Sequence, residues 1–304
     1  MKDALASAIK QGMLASGQYR RALARTTFPG VAVLCYHGVR DDDVPDAAVT
    51  FPRLHILAST FEAHCRVIRE CCTPISLDDW REALAGRAPL PPRPVLITFD
   101  DGYRSVARLA APILAAHDLP AVVFVCTGPM ASWRLLWFDA MAERDGQAAV
   151  EAWKSRPYDE WRSECVQSPV TRDDDPRAPM TRDELAVLSR QHGIEIGGHT
   201  VDHPILARAT PDQQREQIAR DLASIREWTG APVRAFAYPN GRPRIDYTEA
   251  TIAILRDEGI DAAFTTRPSL SRPEESALER SRFLIVDEVN DAELAHRLTY
   301  TWPR

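Results

Sequence analysis

Short apolar runs recur along this chain, each followed by a stretch with helical spacing, and that alternation limits the fold more than any other feature. The runs are Val31-Ala-Val-Leu-Cys35, Val95-Leu-Ile-Thr-Phe99, Pro120 to Cys126, Ile194-Glu-Ile196, Arg234-Ala-Phe-Ala237, Ala262 to Thr265 and Arg282 to Val286. Strands that alternate with helices form a βα repeat with a parallel sheet. Six or seven such units in 304 residues fit one α/β barrel better than two separate domains. No internal repeat is detectable.

Local signals set the helices between these strands. Ser59-Thr-Phe-Glu62 and Thr181-Arg-Asp-Glu184 read as capping boxes, and Ser76-Leu-Asp-Asp-Trp80 opens a shorter helix. Thr210-Pro211 starts a helix with proline in its first turn, and Gly230 ends it; Gly259 stops the helix from Thr248 to Glu258. The beat fails between Thr127 and Met180, a stretch holding Trp133, Trp137, Trp153 and Trp161 and closing on the charged run Thr171 to Arg177. It reads as an insertion at about 127–180 with helices of its own, placed where it shapes substrate access. The expected organisation is an N-terminal helical segment over 1–29, a barrel over 30–290 and a C-terminal helix or tail over 291–304.

Composition excludes some classes of function. With 45% apolar and 26% charged residues, net charge −6 and no Lys/Arg-dense block, the chain lacks a nucleic-acid footprint. Its six cysteines include no C-x-x-C pair, and Cys35 and Cys126 lie inside apolar runs, so reduced thiols in a cytoplasmic protein are expected. Met1 to Arg25 has no continuous apolar core of a signal peptide, and nowhere do 18 apolar residues run together. This basic segment carries a stripe of Leu5, Ile9, Met13 and Leu14. Packing against the domain is the expectation, with peripheral membrane association through this helix as the alternative. Nothing bears on oligomeric state.

Chemistry concentrates at two places. The strand Val95–Phe99 runs straight into Asp100-Asp101-Gly102-Tyr103, and His199-Thr-Val-Asp-His203-Pro204 follows the strand ending in Gly197-Gly198. Where a strand ends the backbone turns, so two adjacent carboxylates can converge on one cleft, and a cation relieves their repulsion. Histidines four apart share one face of a helical turn, and neutral imidazoles suit borderline metals. Asp101, His199 and His203 therefore make a three-ligand set that leaves positions for water and substrate, with Asp100 as a carboxylate free to take a proton.

These residues resemble a known family. Thr98-Phe99-Asp100-Asp101-Gly102-Tyr103 is similar to the TFDDG motif, and His199-Thr-Val-Asp-His203-Pro204 to the H-(S/T)-x-x-H-P motif, of the polysaccharide deacetylases (the NodB-homology group, carbohydrate esterase family 4), over roughly residues 30 to 290. The resemblance implies a distorted (β/α)7 barrel and hydrolysis of an acetamido group on a sugar. It also implies Asp100 as general base, with Asp101, His199 and His203 holding a divalent metal; zinc suits the set, and cobalt, nickel or iron can occupy it. The family's third motif, R-x-P-Y-G, aligns with Ala237-Tyr238-Pro239-Asn240-Gly241, which leaves the Asn240 backbone N–H as the oxyanion donor but removes the arginine that orients the base. Arg282 resembles an arginine that related subfamilies carry late in the chain; it reads equally as that replacement or as a surface arginine.

No match to the family's C-terminal leucine-x-histidine motif exists around His296. His37, in Cys35-Tyr36-His37-Gly38, ends the first strand and is the candidate general acid, with a structural role as the other reading. His55, His64, His117 and His192 read as ordinary surface or core residues, and Trp137 and Asp139 as packing residues that also have the option of lining the sugar site. The expected reaction is removal of an acetyl, or else formyl, group from an N-acylated amino sugar; cytoplasmic location favours a lipid-linked or nucleotide-linked precursor. A ureide or small-amide hydrolase of the same fold and a catalytically silent sugar-binding protein are the rival readings.

Overall fold

The structure, a computed structural model, describes residues 2–302, and the side chains of Trp161 and Cys165 lie outside the described ones. Seven parallel strands carry the fold: β1 (Ala32–Tyr36), β2 (Pro94–Phe99), β3 (Ala121–Val125), β4 (Ile194–Gly198), β5 (Ala235–Ala237), β6 (Ala262–Phe264) and β7 (Phe283–Leu284). They pair in the order β7-β1-β2-β3-β4-β5-β6, with the short strand Thr73–Pro74 added beside β2. One parallel bridge, Phe264 to Arg280, connects the two ends of this order. Around it the Arg280 N–H donates to the Ala263 carbonyl and the Thr265 N–H to the Arg280 carbonyl, each at 2.8 Å. The sheet thus curls into a seven-stranded barrel whose β6/β7 seam is its thinnest pairing.

Strand side chains alternate between two apolar layers, as a period of two requires. Val33, Leu96, Val122, Phe124, Ala235, Ala237, Ala262 and Phe264 face the barrel interior, joined from below by Trp80 of the helix Leu77–Leu84. Leu34, Tyr36, Ile97, Phe99, Val123, Val125 and Phe236 face outward onto the helices. The interior is a filled core, and small residues sit beside large ones. At Gly197 a Cβ would stand 2.4 Å from the Phe124 ring and 2.9 Å from the Ala235 carbonyl oxygen.

Capping boxes form at Ser76, Thr181, Thr210 and Thr248, and Gly230 ends the helix Pro211–Thr229 in a left-handed conformation. The expected box at Ser59 does not form. The helix Ala58–Cys71 begins two residues earlier with Leu57 as its cap, and Ser59, already inside the first turn, donates instead to Asp42 at 2.8 Å.

The interval from 127 to 180 folds as helices Thr127–Ser132, Trp137–Asp145, Gln147–Trp153 and Tyr158–Gln167. At the N-terminus, the helix Lys2–Ala15 lies against the helix Asp291–His296. Lys10 pairs with Glu293, Gln11 donates to Asp291 at 3.0 Å, and Met13 and Leu14 reach the core, while Leu5 and Ile9 stay exposed. Among the described residues no helix is long and apolar enough to cross a membrane. The five cysteines with described side chains are free and buried.

Candidate active site

Asp100 continues the inward-facing series Leu96, Thr98, and its N–H still donates to the Tyr36 carbonyl at 3.0 Å. Its carboxylate therefore points down into the top of the barrel. Arg282, fully buried, meets it there with two parallel hydrogen bonds of 2.7 Å, from Nη1 to Oδ1 and from Nη2 to Oδ2. The same guanidinium donates to the Thr265 carbonyl at 2.9 Å and to Thr98 Oγ1 at 3.2 Å, and lies over the rings of Phe124 and Phe264. Cys35 adds a weak S–H donor 3.5 Å from Oδ2. Burial works against the charged carboxylate, but Arg282 outweighs it and holds Asp100 well below the usual carboxylate range.

One residue on, the chain leaves the strand through left-handed conformations at Asp101 (φ 74°) and Gly102 (φ 78°), which swing the second carboxylate over the barrel mouth. His199 and His203 arrive from the end of β4. They do so without the helical turn that their spacing suggests: Thr200 (φ 72°) and His203 (φ 57°) are left-handed, and the loop is pinned by a hydrogen bond of 3.0 Å from the His203 N–H to Thr200 Oγ1. His199 Nδ1 lies 2.7 Å from the Ala237 carbonyl, which fixes the proton on Nδ1 and leaves the Nε2 lone pair for a ligand. The His199 N–H donates to Asp221 at 2.9 Å; Asp221 also receives the N–H and hydroxyl of Thr127, while burial pushes its carboxyl up to about 7.

The three side chains converge. Asp101 Oδ1 stands 3.4 Å from His199 Nε2 and 3.5 Å from His203 Nε2, and it is buried with no hydrogen-bond partner. Donor atoms each about 2.0–2.1 Å from a tetrahedral zinc are about 3.3–3.4 Å apart, so this set fits a divalent cation. Cys35, His37 and Asp100 also lie close together, but Arg282 already occupies both oxygens of Asp100.

A cleft of about 360 Å³ opens above these groups. His37, Asn240 and Thr266 line it beside Asp100 and the ligand trio, and Phe51, Trp137, Phe138 and Leu284 form apolar walls. His37 Nδ1 and Asn240 Nδ2 are buried without partners, and the backbone N–H of Asn240, a left-handed residue (φ 54°), takes part in no hydrogen bond within the described chain. A larger concavity of about 890 Å³ lies at the opposite end of the strands, around Pro120, Gly193 and Glu195. It contains none of these groups.

The sequence profile described as polysaccharide deacetylase matches residues 87–263, more than half of the chain. The chain belongs to the polysaccharide deacetylase family. Among its relatives, the poly-beta-1,6-N-acetyl-D-glucosamine N-deacetylase of Escherichia coli (strain K12) is 35% identical over 114 residues, which is 36% of this chain and 16% of that protein. The chain spans half or less of the length of the curated relatives it matches. Of solved structures, the Streptococcus pyogenes deacetylase PplD in complex with acetate has a TM-score of 0.66 at 20% identity, covering 90% of this chain and 99% of that one. IcaB from Ammonifex degensii has a TM-score of 0.65 at 25% identity, covering 90% and 98%.

Several residues of this deacetylase-family site escape a reading of the sequence. Asp221 looks like a charge on a helix surface, yet it falls in the buried stripe Gln214, Gln217, Ile218, Leu222, Ile225, and that register is the signal that marks it. His55, expected as an ordinary surface or core residue, is a core residue that backs the site. It lies in a short strand, His55–Leu57, paired with Gly38–Arg40, fully buried with both ring nitrogens unpartnered, its ring 4.7 Å from that of Tyr103. Burial, then His37, pulls its pKa down to about 3, so it is a neutral spacer behind the site. Gly38 is required there, because a Cβ would stand 2.0 Å from the His55 ring. His296 sits far from the cleft in contact with the Tyr19 hydroxyl at 3.2 Å.

Proposed function

We propose that this chain hydrolyses the N-acetyl group of an amino sugar within a polysaccharide or glycan precursor. The observation that carries the reading is Asp101 Oδ1, a buried carboxylate oxygen with no hydrogen-bond partner, set between two imidazole nitrogens at 3.4 and 3.5 Å with a second carboxylate beside it. Asp101, His199 and His203 hold the divalent ion; their one-oxygen, two-nitrogen donor set favours zinc, with cobalt, nickel and iron as the other occupants. Such an ion, when bound, supplies Lewis acidity toward an amide carbonyl and lowers the pKa of a water toward about 7.

The remaining steps fall to the chain itself. Asp100 accepts the proton of the attacking water, and Arg282 keeps that carboxylate charged and oriented. The free N–H of Asn240 donates to the oxygen that gains charge as the carbonyl becomes tetrahedral. His37, on the cleft wall beside Asp100, donates a proton to the departing sugar nitrogen. The apolar walls Trp137 and Phe138 suit the non-polar face of a sugar ring.

Metal analysis of the purified protein, followed by acetate release from N-acetylglucosamine oligomers, tests this reading; allantoin serves as the competing substrate class. Asp100→Asn is expected to lower turnover by about 10²–10⁴-fold while bound metal stays stoichiometric. Turnover of allantoin alone, or wild-type activity in Asp100→Asn, overturns it.

A further inference from the structure

Trp137, Phe138 and Asp139 open the helix Trp137–Asp145 in the segment that interrupts the barrel's regular beat, and each consecutive side chain grips a different part of the ligand loops. The indole N–H of Trp137 donates to the His203 carbonyl at 3.1 Å. The Phe138 ring meets the His203 imidazole edge-on, with centroids 5.0 Å apart. Asp139, fully buried, accepts the Tyr103 hydroxyl at 2.8 Å, two residues beyond Asp101, and the Thr50 hydroxyl on its other oxygen. The rest of the interval adds backbone grips: Gly128 N–H to the Val201 carbonyl at 2.8 Å, Arg104 N–H to the Ala178 carbonyl at 2.8 Å, and Met180 N–H to the Gly102 carbonyl at 2.9 Å.

These contacts fall on backbone that needs them. Asp101, Thr200 and His203 hold left-handed conformations that cost a non-glycine residue free energy, of order 1–3 kcal/mol each, and persist only where surrounding contacts over-determine them. Barrel elements hold part of these loops, with the Cys126 N–H donating to the Asp101 carbonyl at 3.4 Å and the Val201 and Asp202 N–H groups donating to Gln217, and the inserted segment adds the grips on Tyr103 and His203.

We infer that Trp137, Phe138 and Asp139 are positioning residues of the metal centre, clamping the Asp101 and His203 loops into ligand geometry. The inference rests on the metal-dependent reading above. A partner held at a ligand's neighbour sets ligand orientation, and its loss typically lowers metal affinity 10–100-fold.

The test measures zinc affinity by competition with a chromophoric chelator, alongside folding by circular dichroism. Trp137→Phe keeps an aromatic side chain in the wall while removing the N–H; Tyr103→Phe removes only the hydroxyl that Asp139 accepts. Both are expected to bind zinc about 10–100-fold more weakly while folded. Arg172→Ala, on an exposed ion pair with Asp174 in the same interval, is expected to bind as wild type does. Affinity within twofold of wild type in both folded variants overturns the inference and leaves the proposed function standing. A wild-type chain that binds no divalent metal defeats the functional reading first.

Discussion

Arg282, fully buried, and Asp100, which meets solvent only through the cleft, form an ion pair in which neither residue tolerates the loss of the other. A buried charge left alone costs about 3–5 kcal/mol, whereas removing both partners costs far less than the sum. Arg282→Met is therefore expected to lower the unfolding free energy by about 3–5 kcal/mol, and Asp100→Asn/Arg282→Met to recover much of it. Urea midpoints of the two single variants and the double variant check this, and strict additivity is the contrary result. His64 yields a second expectation. Its Nε2 lies 2.8 Å from the Val289 carbonyl and its Nδ1 3.2 Å from the Tyr36 hydroxyl, an arrangement suited to a neutral ring, and burial lowers its pKa from 6.5 to about 4. Between these values the unfolded chain takes up a proton that the native ring refuses. Stability is expected to fall as pH drops from about 6.5 to about 4, by on the order of 3 kcal/mol from this group, and not to fall further below that for this reason. In His64→Gln the pH slope of unfolding free energy, measured over that window, becomes shallower by one proton; an unchanged slope refutes the assignment.

At the level of single elements, the interior face of β4 shows how tightly the strand must run. Gly197 lies where a methyl group would intrude on both the Phe124 ring and the β5 backbone, two residues before His199. Gly197→Ala is expected to cost about 1–3 kcal/mol as overpacking and, by displacing the strand end, to weaken metal binding; a thermal melt and a zinc titration that both match wild type contradict this. Local signals were readable wherever one element satisfies its own needs. Thr181 and Thr210 each accept a backbone N–H three residues on, and a pattern spelled in four residues, ending in Glu184 or Gln213, encodes that outright; Thr248 caps its helix in the same way with Thr251 in place of the acid or amide. Ser59 carries the same four-letter pattern and fails, because the helix already begins at Ala58 with Leu57 as its cap and leaves Ser59 inside the first turn, donating to Asp42. The spacing of His199 and His203 suggests a helix, whereas left-handed residues in a loop bring the pair together instead.

Across the whole molecule, the alternation of apolar runs with helices carries the parallel barrel, and the two motifs carry the donors at its mouth. Which residues close and support that arrangement depends on long-range contacts that no local pattern expresses. Arg282 is one charged residue at a strand end, and its burial follows from a partner 182 positions earlier. Asp139 reads as a packing residue or a lining of the sugar site, whereas it accepts the Tyr103 hydroxyl, 36 positions earlier, at 2.8 Å. Chain order also separates events in time. During synthesis Asp101, His199 and His203 have all been added once residue 203 is in place, while the guanidinium that neutralises Asp100 is still 79 codons from being translated. A nascent chain at that stage holds every donor for a cation but leaves Asp100 without Arg282, so that carboxylate acquires its counter-charge only as the last strand closes the barrel.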